Sequence, residues 1–542
     1  MPHLAKKYTT DIVIVGGGIA GLAAAFELLD TGKKILILDR DNQEKLGGLA
    51  KESFGGILAV DTPLQRKSGI KDSFELAYQD WKRYANFDSN SQLQKKWAKK
   101  YIEYSTKYIY EWLTDKGIKF LPVVNWPERG MFQQGNSVPR WHIAWGTGFE
   151  IIKKIIKAIE KHPNSNNLSF KFRHRVNNFN KKNDQINGCS GIIESTHAPF
   201  EVKADFVIAA AGGICGGDLS LVKKYWPENE RGELPQRLLN GGHKFADGIV
   251  HFAAEKAGGQ LKNLKNQWHY AAGVHYPDSL RENHGLSLVP PKSAVWINAH
   301  GKRIGPSPLM GYTDTKFLVD EILKQPGKFS WQIMNFKIAK KELAVSGCDY
   351  MTSFRKKQKF NLLKELLFGN KALVKKLSNN CDDFVVADSL EELVEKMNFL
   401  EPDFKIDKSV LKSELKKYDS GILRGKNLIN DDQLRRIVSY RKYRGDRIRT
   451  CNLQTILDPL AKPFIAIREF ILTRKSLGGI ITDLESRILT PSGKPIKSFY
   501  AIGETAGFGG GGIHGQGSLE GTFLGGCLVT AQLAANSIKK NI

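Results

Sequence analysis

The 542-residue chain has few cysteines and, outside an N-terminal run explained below, no long apolar segment. Its six cysteines are scattered and none belongs to a C-x-x-C pair, which argues against a zinc site and against a disulfide framework. Sparse, isolated cysteines are typical of a reducing compartment, so we predict a cytoplasmic protein without a bound metal. No other stretch approaches the uncharged length of about 20 residues that a membrane-spanning helix needs.

Acidic residues are also scarce relative to basic ones: 56 against 81, which gives a formal net charge of +25. The basic residues are spread along the chain and belong to no recognisable nucleic-acid-binding fold, so we predict no nucleic-acid partner. A lysine-rich solvated surface is the simpler explanation, and a weak association with an anionic membrane surface is the alternative. Residues 356–379 form a basic, polar stretch with a helical pattern, and we expect its charges to form a solvated face.

Near the N-terminus, a glycine-rich turn joins an apolar strand to a helix. Ile12–Val15 is predicted as a short buried strand, GGGIAG follows at residues 16–21, and a helical pattern continues to Leu29. A second predicted strand, Ile35–Leu38, ends at Asp39. Strand, G-x-G-x-x-G turn, helix, strand and an acid about 20 residues further on form the fingerprint of dinucleotide binding.

Each glycine of the G-x-G-x-x-G pattern has a physical task. Gly16 permits the tight turn, Gly18 lets the backbone approach a pyrophosphate, and Gly21 lets the helix pack close to the strand. The helix N-terminus supplies N–H donors and the positive end of its dipole to the phosphates. Asp39 can accept hydrogen bonds from ribose hydroxyls. The turn therefore predicts one bound dinucleotide.

Two further strands are predicted to end beside the same nucleotide. FVIAAAGG at residues 206–213 has the pattern of a buried parallel strand that ends in glycines, and FYAIG at residues 499–503 is another, followed by Glu504. The loop KLGGLAKESFGG at residues 45–56 suits a chain folded against a long cofactor. Three strand ends that converge on one nucleotide indicate a cofactor lying extended across the sheet.

Five long segments carry a family resemblance. They are QRKSGIKDS (residues 65–73), GNSVPRWHIAWGTG (135–148), DFVVAD (383–388), ILTRKSLGGIITDL (471–484) and GFGGGGIHGQGSLEGTFLGGC (507–527). With the motifs above, they resemble flavoproteins of the fumarate reductase and 3-ketosteroid Δ1-dehydrogenase superfamily, and most of all its bacterial FAD-binding dehydrogenase subgroup. The resemblance spans nearly the whole chain and implies an FAD-dependent oxidoreductase that acts on CH–CH bonds.

The resemblance also implies an α/β architecture with a Rossmann-like FAD-binding domain that is split in sequence. We expect its two parts at residues 1–220 and 455–542, with an inserted α+β substrate or capping domain at residues 221–454. An early helical excursion, residues 73–116, carries aromatic residues at helical spacing that we expect to be core: Trp97, Tyr101, Tyr104, Tyr108 and Trp112.

In this superfamily the C-terminal glycine-rich segment lies along the flavin. The resemblance implies that Glu504 binds ribityl hydroxyls, that backbone N–H groups of residues 517–519 face the flavin pyrimidine, and that a helix from about Leu519 directs its positive end to flavin N1 and O2. No histidine lies within residues 45–56, where covalently flavinylated relatives carry one, so we expect FAD to be held non-covalently. The predicted FAD-binding residues are Gly16, Gly18, Ile19, Ala20, Gly21, Asp39, Arg40, Gly47, Gly48, Ala50, Ser53, Gly55, Gly56, Val176, Ala211, Gly212, Gly503, Glu504, Gly517, Ser518 and Leu519.

A flavin dehydrogenase needs a base beside a carbonyl and a donor that polarises this carbonyl. Tyr312 precedes an aspartate by two positions, as a tyrosine does in the ketosteroid enzymes, and we predict that it transfers the proton, as a tyrosinate with a lowered pKa. His269 matches a substrate-contacting histidine of fumarate reductases, and Tyr270 is a second candidate for the cavity wall. His514 is a candidate donor to a carbonyl.

Two arginines that hold dicarboxylates in fumarate reductases are replaced here by Thr313 and Ser518, so fumarate is an unfavourable substrate. The leading hypothesis is an α,β-dehydrogenase of a small apolar carbonyl compound, similar to a ketosteroid, that passes electrons to an external acceptor. The alternatives are a reductase of another activated C=C bond and a non-catalytic flavin-binding or membrane-surface protein.

Overall fold

A computed structural model describes residues 5–279 and 281–542. In chain order the strands are β1 (Lys6–Thr9), β2 (Ile12–Val15), β3 (Ile35–Leu38), β4 (Gly56–Leu58), β5 (Trp141–Ile143), β6 (Leu168–Lys171), β7 (His174–Lys182), β8 (Gln185–Ile193), β9 (Pro199–Lys203), β10 (Phe206–Ala209), β11 (Leu239–Asn240), β12 (Leu261–Lys262), β13 (Gln267–His275), β14 (Gly285–Val289), β15 (Val295–Ile297), β16 (Phe329–Asn335), β17 (Ala344–Val345), β18 (Phe384–Ala387), β19 (Phe464–Ser476), β20 (Gly479–Ile480), β21 (Arg487–Leu489) and β22 (Pro495–Ala501).

The α-helices are α1 (Ile19–Leu28), α2 (Gly48–Glu52), α3 (Pro63–Lys67), α4 (Phe74–Ala85), α5 (Gln92–Tyr104), α6 (Trp112–Asp115), α7 (Thr147–Glu160), α8 (Ser220–Lys224), α9 (Glu228–Arg231), α10 (Ile249–Lys256), α11 (Thr315–Leu323), α12 (Phe336–Glu342), α13 (Thr352–Arg355), α14 (Lys359–Phe368), α15 (Lys371–Asn380), α16 (Leu390–Leu400), α17 (Lys408–Leu423), α18 (Asp432–Tyr440), α19 (Arg444–Arg449) and α20 (Thr522–Lys539). Within the described ranges, none of them combines the length and apolarity needed to cross a membrane.

The first sheet has the strand order β1-β9-β8-β22-β10-β2-β3-β6, with β7 paired to β8 and β21 to β22. Its centre, from β22 to β6, is parallel. Ile12 and Ile14 of β2 pack in one core with α1 and α20, whereas Val13 and Val15 face a second core with β7, β8 and β9. Parallel strands covered on both faces are typical of α/β proteins, so the predicted fold class is confirmed.

The second sheet has the order β15-β16-β19-β13-β14-β17, and β11 and β18 also pair with β19. Its pairs are antiparallel except for that of β11 with β19. The long strand β19 therefore holds this sheet together, although it follows residue 454. The second sheet thus extends past the domain boundary that we predicted there.

The C-terminal helix begins at Thr522, three residues later than predicted. The residue before it, Gly521, has a φ of 94°. This left-handed conformation cannot continue a right-handed helix backwards, so residues 517–521 form a turn instead. Of the predicted aromatic stripe, Trp97, Tyr101 and Trp112 are buried in the core with α1 and α20, as expected.

Candidate active site

A cavity extends from the carboxyl ends of the parallel strands to the second sheet. At one end its wall contains Asp39 and Arg40, which follow β3, and at the other end Tyr270 of β13 and Tyr312, which lies just before α11. Residues that follow β2, β10 and β22 line it between these ends. Open α/β sheets bind ligands outside the carboxyl ends of their strands, so this is the expected place for a cofactor.

The glycines of the first turn leave room for a ligand at the N-terminus of α1. A Cβ on Gly16 would lie 2.2 Å from the Ala210 carbonyl oxygen, and one on Gly21 would lie 2.0 Å from the Gly16 oxygen, so both positions need glycine for packing. A Cβ on Gly18 would meet no protein atom within 4 Å, yet Gly18 lines the cavity. The free space lies where a pyrophosphate would meet the N–H groups of the helix.

Asp39 is fixed by the backbone at the end of β3. Its Oδ2 accepts a hydrogen bond from Gly17 N at 2.7 Å, and its Oδ1 accepts one from Asp41 N at 2.7 Å. Each carboxylate oxygen keeps a further lone pair for a ligand hydroxyl. Next to it, Arg40 donates to Glu194 Oε1 and to Asp247 Oδ2, each at 2.5 Å, and so lies along the cavity wall.

Glu504 is held where the two sheets meet. Its Oε1 accepts a hydrogen bond from Ser476 N, the last residue of β19, at 2.9 Å, and its Oε2 lies 3.7 Å from Lys475 Nζ. These contacts direct the carboxylate into the middle of the cavity, between the predicted nucleotide end and the two tyrosines.

At the far end of the cavity, two tyrosines and one glutamate come together. The Tyr270 hydroxyl donates to Glu520 Oε2 at 3.1 Å. The Tyr312 ring packs on Trp141 with ring centroids 5.7 Å apart, and its hydroxyl makes no hydrogen bond with any residue that the structure describes. The surrounding wall is apolar, with Phe54, Ala271, Ala272, Leu288, Val289, Pro290 and Leu318.

The pKa of Tyr312 differs from our expectation. Burial raises this pKa well above its ordinary value, and the Glu520 carboxylate adds to the effect; Arg449 offsets it only in part. Burial and Glu520 raise the pKa of Tyr270 in the same way. The predicted lowering of the Tyr312 pKa is therefore wrong, because Arg449 offsets the effect of desolvation only in part.

A buried acid pair supports the turn that carries Tyr312. Tyr312 has a φ of 66°, and the turn ends at Asp314, whose Oδ1 caps α11 by accepting a hydrogen bond from Phe317 N at 3.0 Å. Glu128 accepts hydrogen bonds from Thr315 N at 2.9 Å and from the Tyr84 hydroxyl at 2.6 Å, and this hydroxyl also lies 2.9 Å from Asp314 Oδ1. Burial, together with the nearby Asp314 carboxylate, raises the pKa of Glu128 to about 8.

Most of the predicted FAD-binding residues line the cavity, namely Gly16, Gly18, Ile19, Ala20, Asp39, Arg40, Gly47, Gly48, Ala50, Ser53, Gly55, Gly56, Val176, Ala211, Gly212 and Glu504. The others lie behind its wall: Gly21, Gly503, Gly517, Ser518 and Leu519. A Cβ on Gly517 would lie 2.4 Å from the Tyr84 carbonyl oxygen, and the Ser518 hydroxyl lies 2.9 Å from that of Thr522. These side-chain positions belong to the turn before α20 rather than to the cavity.

Both predicted histidines lie outside the cavity wall. His269 precedes Tyr270 on β13, and because side chains alternate along a strand it points to the opposite face, where its ring lies 5.3 Å from that of Trp226. His514 stacks on Trp81 at 5.7 Å and packs against Phe508 and Phe523. Burial lowers the pKa of His514 to about 3 and that of His269 well below its ordinary value, so both rings are neutral.

The sequence did not suggest many of the cavity residues, and one such group lies around the start of α20. Glu520, Phe523, Leu524 and Cys527 line the wall beside Gly521. Their spacing, i, i+3, i+4 and i+7, is that of one helix face, and this pattern is visible in LEGTFLGGC.

Comparison with known proteins identifies the family of the chain. The sequence profile of a family described as "FAD binding domain" matches residues 11–524. The chain belongs to this FAD-binding family. It is 38% identical over 557 residues to a KsdD-like steroid dehydrogenase of Mycobacterium tuberculosis, an alignment that covers 99% of this chain and 97% of the relative.

Solved structures show the same fold. A 3-ketosteroid Δ1-dehydrogenase from Sterolibacterium denitrificans superposes with a TM-score of 0.68 at 16% identity, covering 98% of this chain and 100% of the other. A flavocytochrome c3 fumarate reductase gives a TM-score of 0.68 at 20% identity, covering 98% and 78%. The chain is an FAD-dependent oxidoreductase, and the open space at Gly18, the acid Asp39 and the N-terminus of α20 fit this cofactor.

Proposed function

We propose that this protein is an α,β-dehydrogenase of a small apolar carbonyl compound of the 3-ketosteroid class. The observation that carries the proposal is the group formed by Tyr312, Tyr270 and Glu520 in a largely apolar end of the FAD cavity, with the Arg474 guanidinium nearby. An apolar wall with a few convergent polar groups suits an apolar substrate that carries one reacting carbonyl. The relatives described as KsdD-like steroid dehydrogenases support the same substrate class.

Residues along the cavity would hold FAD in an extended conformation. The N-terminus of α1 suits the pyrophosphate, Asp39 the ribose, and Glu504 the ribityl hydroxyls, while the N-terminus of α20 suits the flavin pyrimidine. When bound, FAD supplies the hydride acceptor of the reaction. Non-covalent binding stays a prediction.

The Tyr270–Glu520 pair is the proposed proton acceptor. A C–H bond beside the substrate carbonyl loses its proton to the Tyr270 oxygen while the Tyr270 hydroxyl proton passes to Glu520 Oε2, to which it is already hydrogen-bonded at 3.1 Å. Burial raises the pKa of Glu520, which makes its carboxylate a better proton acceptor. Glu520 is thus the residue that gives one of the two phenols a base.

Tyr312 is the proposed carbonyl donor. Its raised pKa keeps the hydroxyl protonated at neutral pH, and this hydroxyl is free of protein partners among the described residues. A neutral phenol without a competing acceptor can donate to the substrate carbonyl and stabilise the developing enolate oxygen. This assignment replaces the tyrosinate base that we expected at Tyr312.

Single-turnover kinetics test the assignment. Anaerobic stopped-flow reduction of the flavin by a panel of 3-ketosteroids should be slowed by about 100- to 10,000-fold in Tyr270→Phe. Because Tyr270 and Glu520 act as one unit, the double variant Tyr270→Phe/Glu520→Gln should reduce its flavin almost as fast as the slower of the two single variants. Addition of Tyr312→Phe to this double variant should slow flavin reduction further. Tyr418→Phe, a buried phenol outside the cavity whose hydroxyl donates to the Ser293 oxygen, is the matched control. Near-normal reduction in Tyr270→Phe would exclude the pair as the base.

A second candidate function uses the same groups in reverse. The raised pKa of Tyr270 also suits a proton donor to a carbanion, as in a reductase of an activated C=C bond. Rapid oxidation of reduced viologen dye by enones, with no flavin reduction by saturated ketones, would favour this direction. We also propose an external electron acceptor and a cytoplasmic location. The proposed domain boundaries are 1–220, 221–454 and 455–542, although β19 of the last segment pairs with strands of the inserted domain.

A further inference from the structure

Helix α14 presents an apolar face to solvent. Phe360 is 90% exposed, Leu367 and Phe368 are each 65% exposed, and Leu363 is 55% exposed. Their spacing places them on one side of a helix that is about 15 Å long. The opposite side, with Leu362 and Leu366 half-buried, is attached to the protein surface, where Ser353 Oγ donates to Glu365 Oε1 at 2.6 Å and Lys341 Nζ donates to the Leu366 oxygen at 3.0 Å.

The apolar face of α14 points to solvent, whereas a surface helix normally buries its apolar face. The lysines of residues 356–379 are exposed, as expected, and α14 also exposes apolar side chains among them. A cluster of this size is uncommon on a protein that does not bind another surface. The apolar face of α14 therefore needs a binding partner.

Basic residues surround this apolar face. Between residues 351 and 380 the chain has eight lysines and arginines and a single acid, Glu365. Arg355 pairs with Asp349, and Lys357 lies 2.7 Å from Glu150 Oε1. The others, in the part of the chain that the structure describes, have no carboxylate within 4.0 Å: Lys356, Lys359, Lys364, Lys371, Lys375 and Lys376. The partner is therefore expected to be both apolar and anionic.

The helix lies next to the FAD cavity. The segment that leads to it begins at Ser346, which lines the cavity, and continues through α13. Phe354 of α13 packs on Phe54, a cavity residue, with ring centroids 5.3 Å apart. A surface bound to α14 would thus lie close to the wall of the active site.

We propose that α14 docks this protein on an anionic lipid bilayer, with Phe360, Leu363, Leu367 and Phe368 inserted at the level of the headgroups and the lysines on the lipid phosphates. Amphipathic helices with this composition lie in the plane of the interface and combine apolar burial with attraction to anionic lipid. The docking does not depend on the proposed reaction. If that reaction also holds, the same surface would be the source of its apolar substrate.

A second copy of the chain is a poorer partner for this face. In a two-fold symmetric contact the same patch lies on both sides, so the lysines of one copy would face those of the other. Like charges across an interface are unfavourable, and no acids of the patch are available to alternate with them. An anionic bilayer satisfies both the apolar and the charged parts of the surface.

Vesicle sedimentation tests the proposal. The FAD-loaded full chain is mixed with vesicles of phosphatidylcholine alone or with phosphatidylglycerol added, at low ionic strength and at about 1 M salt. We expect the protein to pellet with the anionic vesicles at low salt, and to be released in large part by high salt or by omission of phosphatidylglycerol. Phe360→Ser/Leu367→Ser should lower the partition coefficient by about tenfold or more, because two exposed side chains no longer insert. Lys359→Glu/Lys364→Glu should weaken binding to the anionic vesicles.

Two control variants distinguish vesicle binding through α14 from non-specific apolar or electrostatic binding elsewhere on the protein surface. Phe399→Ser removes a phenylalanine that is 89% exposed on α16, and Lys416→Glu reverses an exposed charge on α17; both variants should bind as the parent does. All variants should keep their FAD content and their rate of flavin reduction. The proposal is overturned if the parent stays in the supernatant at low salt, or if the α14 variants pellet as well as the parent. A dimer in sedimentation velocity that Phe360→Ser converts to a monomer would overturn it too, in favour of self-association.

Discussion

For single residues, burial decides the chemistry more than position in a motif does. Sequence comparison placed Tyr312 correctly in the cavity wall but suggested a tyrosinate, whereas desolvation and the Glu520 carboxylate raise its pKa. Asp39 and Gly18 could be predicted because the dinucleotide fingerprint specifies both their spacing and the part of the cofactor that each would meet. Glu520 was not predicted, because its spacing to Phe523, Leu524 and Cys527 indicates a shared face but does not show that this face lines the cavity.

Glu128 provides a pH-dependent prediction at this scale. Its pKa is 4.5 ordinarily and about 8 in the folded protein, so between these values the folded state keeps a proton that the unfolded chain has lost. The free energy of unfolding therefore falls as pH rises through this window, and changes no further for this group above it. Glu128→Gln lacks the ionisable proton, so its Tm relative to the parent should increase as pH rises across the window.

Calorimetry of both FAD-loaded proteins at several pH values across this window gives the measurement. Glu160→Gln, at an exposed position, should show a Tm difference that does not change with pH. A constant Tm difference for Glu128→Gln would show that Glu128 is already ionised in the folded protein.

Among secondary-structure elements, those with a turn of defined chemistry were predicted best. β2, β3 and the start of α1 follow from GGGIAG, because Gly16 and Gly21 each lack room for a Cβ. The start of α20 was misplaced because the sequence has many glycines there, and only the backbone shows that Gly521, with a φ of 94°, is the residue before the helix. The segment of α14 was predicted to be helical with solvated charges, and its lysines are exposed, but the sequence did not show that Phe360 and Leu367 would be exposed as well.

Gly18→Val tests the first turn directly. Gly18 has a φ of −71°, which valine tolerates, and a Cβ there meets no protein atom within 4 Å. The side chain would instead fill the space of the pyrophosphate, so the purified variant should be colourless and less stable to heat, while its far-ultraviolet circular dichroism stays that of a folded protein. Gly347→Ala, at a glycine outside the cavity with ordinary φ, where a Cβ would lie at an ordinary contact distance of 3.7 Å from Leu286 Cδ1, should remain yellow. A yellow Gly18→Val protein with normal FAD content would refute this placement of the pyrophosphate.

At the scale of the whole molecule, the cavity is a product of two sheets. Glu504, which follows β22 of the first sheet, is fixed by Ser476 at the end of β19 in the second. Such contacts between distant segments have no local sequence signal. The split of the FAD-binding domain was therefore predicted only from the family resemblance, and the length of β19 was not predicted. The strand ends, by contrast, predicted a dinucleotide cofactor that lies extended across the sheet, and the family resemblance implied that it is FAD.

The mode of FAD binding is a property of the assembled cavity. Residues 45–56 contain no histidine, and the cavity-lining thiol of Cys527 has its pKa raised to about 12 by burial, so it is a poor nucleophile. Acid precipitation of the yellow protein should therefore leave all FAD in the supernatant, as measured by its absorbance and fluorescence. Flavin that stays with the precipitated chain would show a covalent link.

Fumarate should be a poor substrate even though the protein carries a net charge of +25. The overall charge attracts dicarboxylates to the surface, but transfer into the cavity depends on the groups that meet them there. Thr313 and Ser518 stand where related reductases place arginines, and Glu520 adds a carboxylate to the substrate end of the cavity. The cations of the wall are partly engaged, since Lys475 faces Glu504 at 3.7 Å and Arg474 donates to the Gly241 oxygen. Two buried carboxylates without paired cations are costly, and Glu520 would repel both.

Oxidation of reduced viologen should therefore be no faster with fumarate than without it, and should remain slow in Glu520→Gln. Rapid dye oxidation by fumarate in the parent protein would overturn the proposed nature of the substrate end of the cavity.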